Sequence, residues 1–149
     1  MKRILIDTDK CNGCKNCSLA CMQARRQTGS IYDMNLVDTA LESRNAILLN
    51  SSNECKPLFC RHCETPHCTA SCSSGAMVKD PVSGHVLYDR DKCGHCFMCV
   101  MNCPYGVLKP DRDTASYVVK CDFCADHEGE PQCVTMCPTK AIHVQEVAV

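Results

Sequence analysis

The chain has no tryptophan, three phenylalanines and four tyrosines among its 149 residues, so aromatic packing can contribute little to a core. Its 45% apolar content is inflated by 17 cysteines. Without them about a third of the chain is apolar, below the roughly 45–50% of ordinary globular domains. Long hydrophobic runs are missing too. The N-terminus, MKRILIDTDKC, offers only Ile4, Leu5 and Ile6 before charge returns. A signal peptide needs roughly 7–15 apolar residues and a membrane span about 20. Lys2-Arg3 and Arg25-Arg26 precede no apolar segment, so neither reads as a twin-arginine signal. These absences predict a cytoplasmic chain without direct membrane insertion. The seven glycines form no G-x-G-x-x-G and no phosphate loop, which argues against a nicotinamide or flavin nucleotide site. No C-x-x-C-H occurs for covalent haem, and no C-x3-C-x2-C for a radical S-adenosylmethionine site.

Cysteine is what the chain has instead. So many cysteines belong to secreted disulfide scaffolds or to metal-rich intracellular proteins, and structural disulfides are rare in the cytoplasm. The odd count also opposes complete pairing. Sixteen of the 17 fall into four groups of four. The first is Cys11-x2-Cys14-x2-Cys17-x3-Cys21, and the second is Cys60-x2-Cys63-x4-Cys68-x3-Cys72. The third is Cys93-x2-Cys96-x2-Cys99-x3-Cys103, followed by Pro104. The fourth is Cys121-x2-Cys124-x8-Cys133-x3-Cys137, followed by Pro138. The first and third groups have the compact spacing that holds [4Fe–4S] clusters. A cubane takes one thiolate per iron. Three can come from one short loop, whereas the fourth must approach from the far side, and two-cluster ferredoxins draw it from the partner group.

The x3 arm is kept in all four groups, and only the gap between second and third cysteines varies. Lengthening a loop adds closure entropy only logarithmically. Gly129, Pro131 and the charged run 126–130 suit an exposed turn, so the fourth group reads as stretched rather than broken. The surroundings repeat as well. Lys10, Lys92 and Lys120 each precede a first cysteine, and ILIDTDKC and HVLYDRDKC share a D-x-D-K-C ending. Each unit reads as strand, ligand loop, short helix, turn, strand. The three lysines are expected in solvated turns, with softening of cluster charge as the sharper alternative. MQARRQTG should continue the first helix to Gly29, leaving Arg25 and Arg26 at an exposed end, and NAILL (45–49) should be a strand. Cys55, the one ungrouped cysteine, is expected to be a buried or idle thiol, and His62 and His67 are expected to pack beside ligands.

CRHCETPHC, KCGHCFMCVMNCPYG and KCDFCADHEGEPQCVTMCPTKA resemble successive motifs of the iron–sulfur electron-transfer subunits of the dimethyl sulfoxide reductase family. Cys21 and Cys72 depart from the pattern, being followed by Met22 and Ser73 rather than proline. The resemblance implies an α+β fold of two nested bacterial-ferredoxin-like lobes with short strands and helices, each lobe holding two [4Fe–4S] clusters. It implies an outer lobe of residues 1–50 plus 110–149, built on the first and fourth groups, and an inner lobe of residues 51–109. It also implies the ligand sets: Cys11, Cys14, Cys17 with Cys137; Cys121, Cys124, Cys133 with Cys21; Cys60, Cys63, Cys68 with Cys103; and Cys93, Cys96, Cys99 with Cys72.

Four thiolates for every cluster leave no open iron for a substrate. The expected function is therefore non-catalytic: a four-cluster wire between a catalytic redox subunit and a second acceptor. The resemblance puts a carbon monoxide dehydrogenase-type or hydrogenase-type catalytic subunit first, with a flavoprotein or membrane hydrogenase as acceptor. A molybdenum or tungsten oxidoreductase, such as formate dehydrogenase or aldehyde oxidoreductase, is the alternative partner. The formal charge of −1 would fall to about −9 with sixteen thiolates and four +2 cubane cores, which opposes nucleic acid as a partner. A zinc-binding interaction module could use the C-x2-C pairs but leaves the x3 arms and C-P endings without a reason. A disulfide-stapled scaffold is the most distant reading.

Overall fold

The computed structural model describes residues 1–26, 30–38, 41–127 and 130–147. Its regular elements are short, as a chain so rich in turns dictates. Among the described residues eight strands form four antiparallel pairs. The longest joins the two chain ends: β1 (Lys2–Ile6) runs against β8 (Ile142–Glu146) in the register Ile4↔Val144. The other three are hairpin-type pairs of sequence neighbours. They are β2 (Ala46–Leu49) with β3 (Cys55–Leu58), β4 (Met77–Lys79) with β5 (Val86–Tyr88), and β6 (Lys109–Pro110) with β7 (Val118–Val119). The expected strand at NAILL is β2. Gly84, at φ +72, makes the bend between β4 and β5, where Asp80 accepts the Ser83 amide at 2.8 Å. A side chain there would run into Met1, so the tip of this hairpin packs on the N-terminal strand.

Among the described residues four α-helices complete the fold: α1 (Asn16–Gln23), α2 (His67–Ala70), α3 (Met98–Met101) and α4 (Gln132–Thr135). Each begins one residue before the third cysteine of its group. A separation of four residues is about one helical turn, so each x3 arm puts the third and fourth cysteines on one side of a helix or its exit turn. α1 packs on α4, and α2 on α3. Among the described residues no helix is long and apolar enough to cross a membrane.

Two apolar cores result. One gathers Ile4, Ile47, Phe59, Phe123, Ala141 and Ile142 around Cys17, Cys133 and Cys137. The other gathers Met77, Val86, Leu108 and Val118 around Cys99. The first uses cysteines of groups one and four, the second a cysteine of group three, with Cys68, Cys72 and Cys103 packed against it.

The expected extension of the first helix to Gly29 does not form. α1 ends at Gln23, Ala24 caps it, and Gly29 lies outside the described residues, as does Gly129 in the stretched fourth group. Arg25 is not an exposed helix end either. Its side chain is only 15% exposed and turns inward to Asp122, two positions ahead of Cys124. Met22 follows Cys21 in place of proline, so nothing stops the helix there, and the chain carries Arg25 round to the fourth group.

Candidate metal centres

The four ligand loops curl in the same way. In each, the residue just before the second cysteine has a positive φ: Gly13 (+71), His62 (+43), His95 (+55) and Phe123 (+62). Only one of these is glycine. The left-handed conformation costs other residues roughly 1–2 kcal/mol, and such strain persists only where surroundings impose it. After this turn the groups divide. The compact groups enter their helices through a second left-handed residue, Lys15 (φ 61) or Phe97 (φ 54). The stretched groups enter through a proline, Pro66 (φ −81) or Pro131 (φ −66), whose ring presets the backbone as the longer loop returns. The extra loop of the fourth group is exposed at Ala125–His127 and folds back on α1, where a ring nitrogen of His127 meets the Ala24 carbonyl oxygen at 2.9 Å.

The turn after the last cysteine also repeats. The amides of Gly75, Gly106 and Lys140 donate to the carbonyls of Cys72, Cys103 and Cys137 at 3.3, 3.1 and 3.3 Å. All three residues have positive φ. The D-x-D-K-C stretches match atom for atom. Asp7 and Asp89 donate their amides to Ala141 and Ala76, both at 2.8 Å, and their carboxylates hold Lys10 at 2.7 Å and Lys92 at 2.9 Å.

Tertiary structure brings cysteines of different groups together. Cys11, Cys14 and Cys17 share one cavity with Cys137. Cys60, Cys63 and Cys68 share another with Cys103, and Cys121, Cys124 and Cys133 a third with Cys21. Cys72 packs against the second apolar core, which contains Cys99. All 17 cysteines are unpaired. A tetrahedral zinc site would draw its ligands to about 2.3 Å from one point. Among the described residues no three His, Cys, Asp or Glu side chains converge in that way.

The thiols are set for a cationic occupant. Burial pushes Cys17 and Cys99 up to about 11 and Cys121 up to about 12, and a bound cation would favour their thiolate forms. Cys72 and Cys137 go the other way. Burial opposes ionisation there as well, but the Ser74 and Thr139 hydroxyls at 3.6 and 3.7 Å, with nearby amides, hold both thiols below their ordinary value. Amide donors reach the sulfurs of Cys21 (from Arg44, 3.3 Å), Cys72 (from Met77, 3.4 Å) and Cys121 (from Phe123, 3.4 Å). His62 gives a further sign. It is 2% exposed and lines the Cys60 cavity, and its Nδ1 accepts the Val86 amide at 3.0 Å, which puts the ring proton on Nε2. That buried Nε2–H has no partner among the described residues. Such an orphan suits a cavity filled by sulfur acceptors. The residues present fit [4Fe–4S] clusters.

Residues 52–147 match the family model of the 4Fe–4S dicluster domain. The chain belongs to that family. Curated relatives cover more of it. The B subunit of the anaerobic dimethyl sulfoxide reductase of Escherichia coli (strain K12) is 36% identical over 92% of this chain and 69% of its own length. The iron–sulfur subunit of the nitrate-inducible formate dehydrogenase of the same organism is 31% identical over 93% of this chain and 52% of its own. Among solved structures, the active site complex BamBC of benzoyl coenzyme A reductase with 1,5-dienoyl-CoA contains a chain 27% identical, with a TM-score of 0.51, covering 100% of this chain and 78% of that one.

Several residues of this dicluster protein escaped the sequence reading. Arg25 and Arg44 both clamp the Asp122 carboxylate, Arg44 at 2.6 Å. The two guanidiniums hold Asp122 below the usual carboxylate range although burial alone would raise it. Lys120 is the largest departure. Lys10 and Lys92 are exposed as expected, but Lys120 is 5% exposed. Its signal was present in part: Lys10 and Lys92 follow D-x-D, whereas Lys120 follows Val118-Val119. Cys55 packs its sulfur against Gly13 at the first ligand loop. A more open cleft lies beside the fourth group, lined by Arg25, Arg44, Arg90, Lys120 and Asp122 among others. It holds Cys121 as its single cysteine.

Proposed function

We propose that this chain is a non-catalytic electron-transfer subunit holding four [4Fe–4S] clusters on the sixteen grouped cysteines. The exchange of cysteines between groups carries the reading: three cavities each combine three cysteines of one group with the last cysteine of another. The fourth set is Cys93, Cys96 and Cys99 with Cys72. When bound, such a cluster takes up and releases one electron at a time. The chain supplies the thiolates, the amide and hydroxyl donors that stabilise their charge, and dry walls such as Phe123 and Ala141 that exclude water.

The nested-lobe arrangement is part of the proposal. The pairing of β1 with β8 and the packing of α1 on α4 support an outer lobe of residues 1–50 plus 110–149. The pairing of β4 with β5 and of α2 with α3 support an inner lobe of residues 51–109. The hairpins β2–β3 and β6–β7 straddle the two crossings.

The catalytic partner we infer is a reductase or dehydrogenase subunit of the molybdenum or tungsten type, because the curated relatives described above serve a dimethyl sulfoxide reductase and a formate dehydrogenase. The carbon monoxide dehydrogenase or hydrogenase type, first on motif resemblance, gains no support from those relatives. A cytoplasmic place completes the reading. The test is iron and acid-labile sulfide per chain on anaerobically purified protein, with low-temperature spin resonance after dithionite reduction. About sixteen iron with matching sulfide is expected. Zinc without sulfide would refute the reading. Proteins that co-purify from the native host then name the catalytic partner.

A further inference from the structure

Three lysines stand immediately before a first cysteine, and only one is buried. Lys120 sends its ammonium to the carbonyl oxygens of Cys121, at 2.7 Å, and Val86. These acceptors belong to different cavities. Val86, 1% exposed, lines the cavity of Cys60, Cys63, Cys68 and Cys103. Cys121 lines that of Cys121, Cys124, Cys133 and Cys21. The ammonium thus bonds a wall residue of a cavity built from the inner groups and one of a cavity built from the outer groups, while Lys120 itself lines the cleft that also holds Glu42 and Asp122.

A buried cation facing only neutral carbonyls is poorly compensated. Among the described residues no carboxylate lies within salt-bridge reach of Lys120. The acidic groups in its neighbourhood are engaged elsewhere, Asp122 with Arg25 and Arg44, and Glu42 with Lys109 at 2.6 Å. The anions left are the thiolates.

We propose that Lys120 is a positioning charge at the junction of these two cavities, raising the electron affinity of both flanking clusters relative to the two farther away. The proposal rests on the reading that the cavities hold [4Fe–4S] clusters. An electron crossing the junction leaves one cluster as it enters the other, with no bond made and no proton moved. Lys120 stabilises the added negative charge on either side, so the crossing runs between two sites matched by one shared cation. At an effective dielectric of about 20, a unit charge within about 12 Å changes a one-electron equilibrium about tenfold. Lys10 and Lys92, exposed and paired with Asp7 and Asp89, are screened and should do far less.

The experiment is a redox titration of the full chain followed by low-temperature spin resonance, with iron and sulfide measured on every sample. The variants are Lys120→Met, Lys120→Arg and, as the exposed control, Lys92→Met. In K120M two of the four midpoints should fall by a tenfold loss of electron affinity, about 59 mV, while the other two stay. K120R should keep the parental potentials and K92M should move none of them by more than about threefold. Iron lost from K120M but retained, with parental potentials, in K120R would equally support a required charge. No shift, an equal shift of all four midpoints, a K120R shift matching that of K120M, or iron lost from both Lys120 variants would each overturn the proposal. A parent chain without iron and sulfide for the flanking clusters would sink the underlying reading first, a failure visible before any variant is titrated.

Discussion

Asp122→Asn is the most direct test of how the stretched fourth group is held. The asparagine keeps the shape and the oxygen that accepts the Cys124 amide at 3.0 Å, and removes only the charge. Arg44 then has no carboxylate at 2.6 Å, and Arg25 keeps only the exposed Asp126 at 3.4 Å. Breaking a fully buried pair costs about 3–5 kcal/mol, and an exposed pair about 0.2–1 kcal/mol. With side chains 15% (Arg25), 26% (Arg44) and 28% (Asp122) exposed, this junction should lie between, at about 2 kcal/mol after solvent screening. If that loss falls on the native state, the clusters should bleach about thirtyfold faster in urea, followed by visible absorbance under anaerobic conditions. Arg25→Met should cost a similar amount, and the double variant less than the sum of the singles. The pH profile supplies a sign check. A depressed carboxylate contributes stability above its unfolded value of about 3.9 and loses it as pH falls through the folded value. The difference between Asp122→Asn and the parent should therefore be flat from about pH 6 to 8. Rates within twofold of the parent, or strict additivity, would refute the idea that this ion pair ties α1 to the fourth ligand loop.

Gly13→Ala should destabilise the holoprotein by about 2–4 kcal/mol, combining left-handed strain with overpacking, because its Cβ would stand 2.5 Å from the Cys55 sulfur. Gly106→Ala, with open space around it, should cost only about 1 kcal/mol. Adding Cys55→Ala to the Gly13 variant should close the gap in urea midpoint, with the iron content unchanged. His95→Gly should relieve the strain of an exposed residue at φ 55 and raise the midpoint by about 0.5–1 kcal/mol, whereas a lower midpoint would mean the ring makes contacts that matter more than the strain. Asp111 accepts the amides of Thr114, Ser116 and Tyr117 at 2.7, 2.7 and 2.9 Å. Burial opposes its ionisation, but these amides outweigh it and hold the carboxyl well below the usual range. Protection of the Ser116 and Tyr117 amides from hydrogen exchange should hold above about pH 4 and fall as pH drops below that value; Asp111→Ala should lose it at every pH.

Local order was legible wherever one short stretch decides it. The D-x-D-K-C turns, the one-turn helices at each x3 arm and the strand at NAILL follow from residues within a few positions of one another. The end of α1 was not legible, because Arg25 leaves the helix for Asp122, a partner 97 positions away. Lys120 failed for a related reason. Like Lys10 and Lys92 it precedes a first cysteine, but its surroundings are set by Val86 in a different hairpin.

The sequence alone determined the donor set: sixteen cysteines in four groups of four, few other apolar side chains beside them, and no motif for a nucleotide or haem. Spacing carries that information, since four sulfurs can ring a cluster only from particular positions along a loop. Tertiary structure decided which groups share a cavity and which charges lie between cavities. Those outcomes depend on the closing of β1 on β8 and on the return of the chain to the end of α1. Contacts across more than a hundred residues are chosen by the packing of the whole chain rather than by any stretch of it.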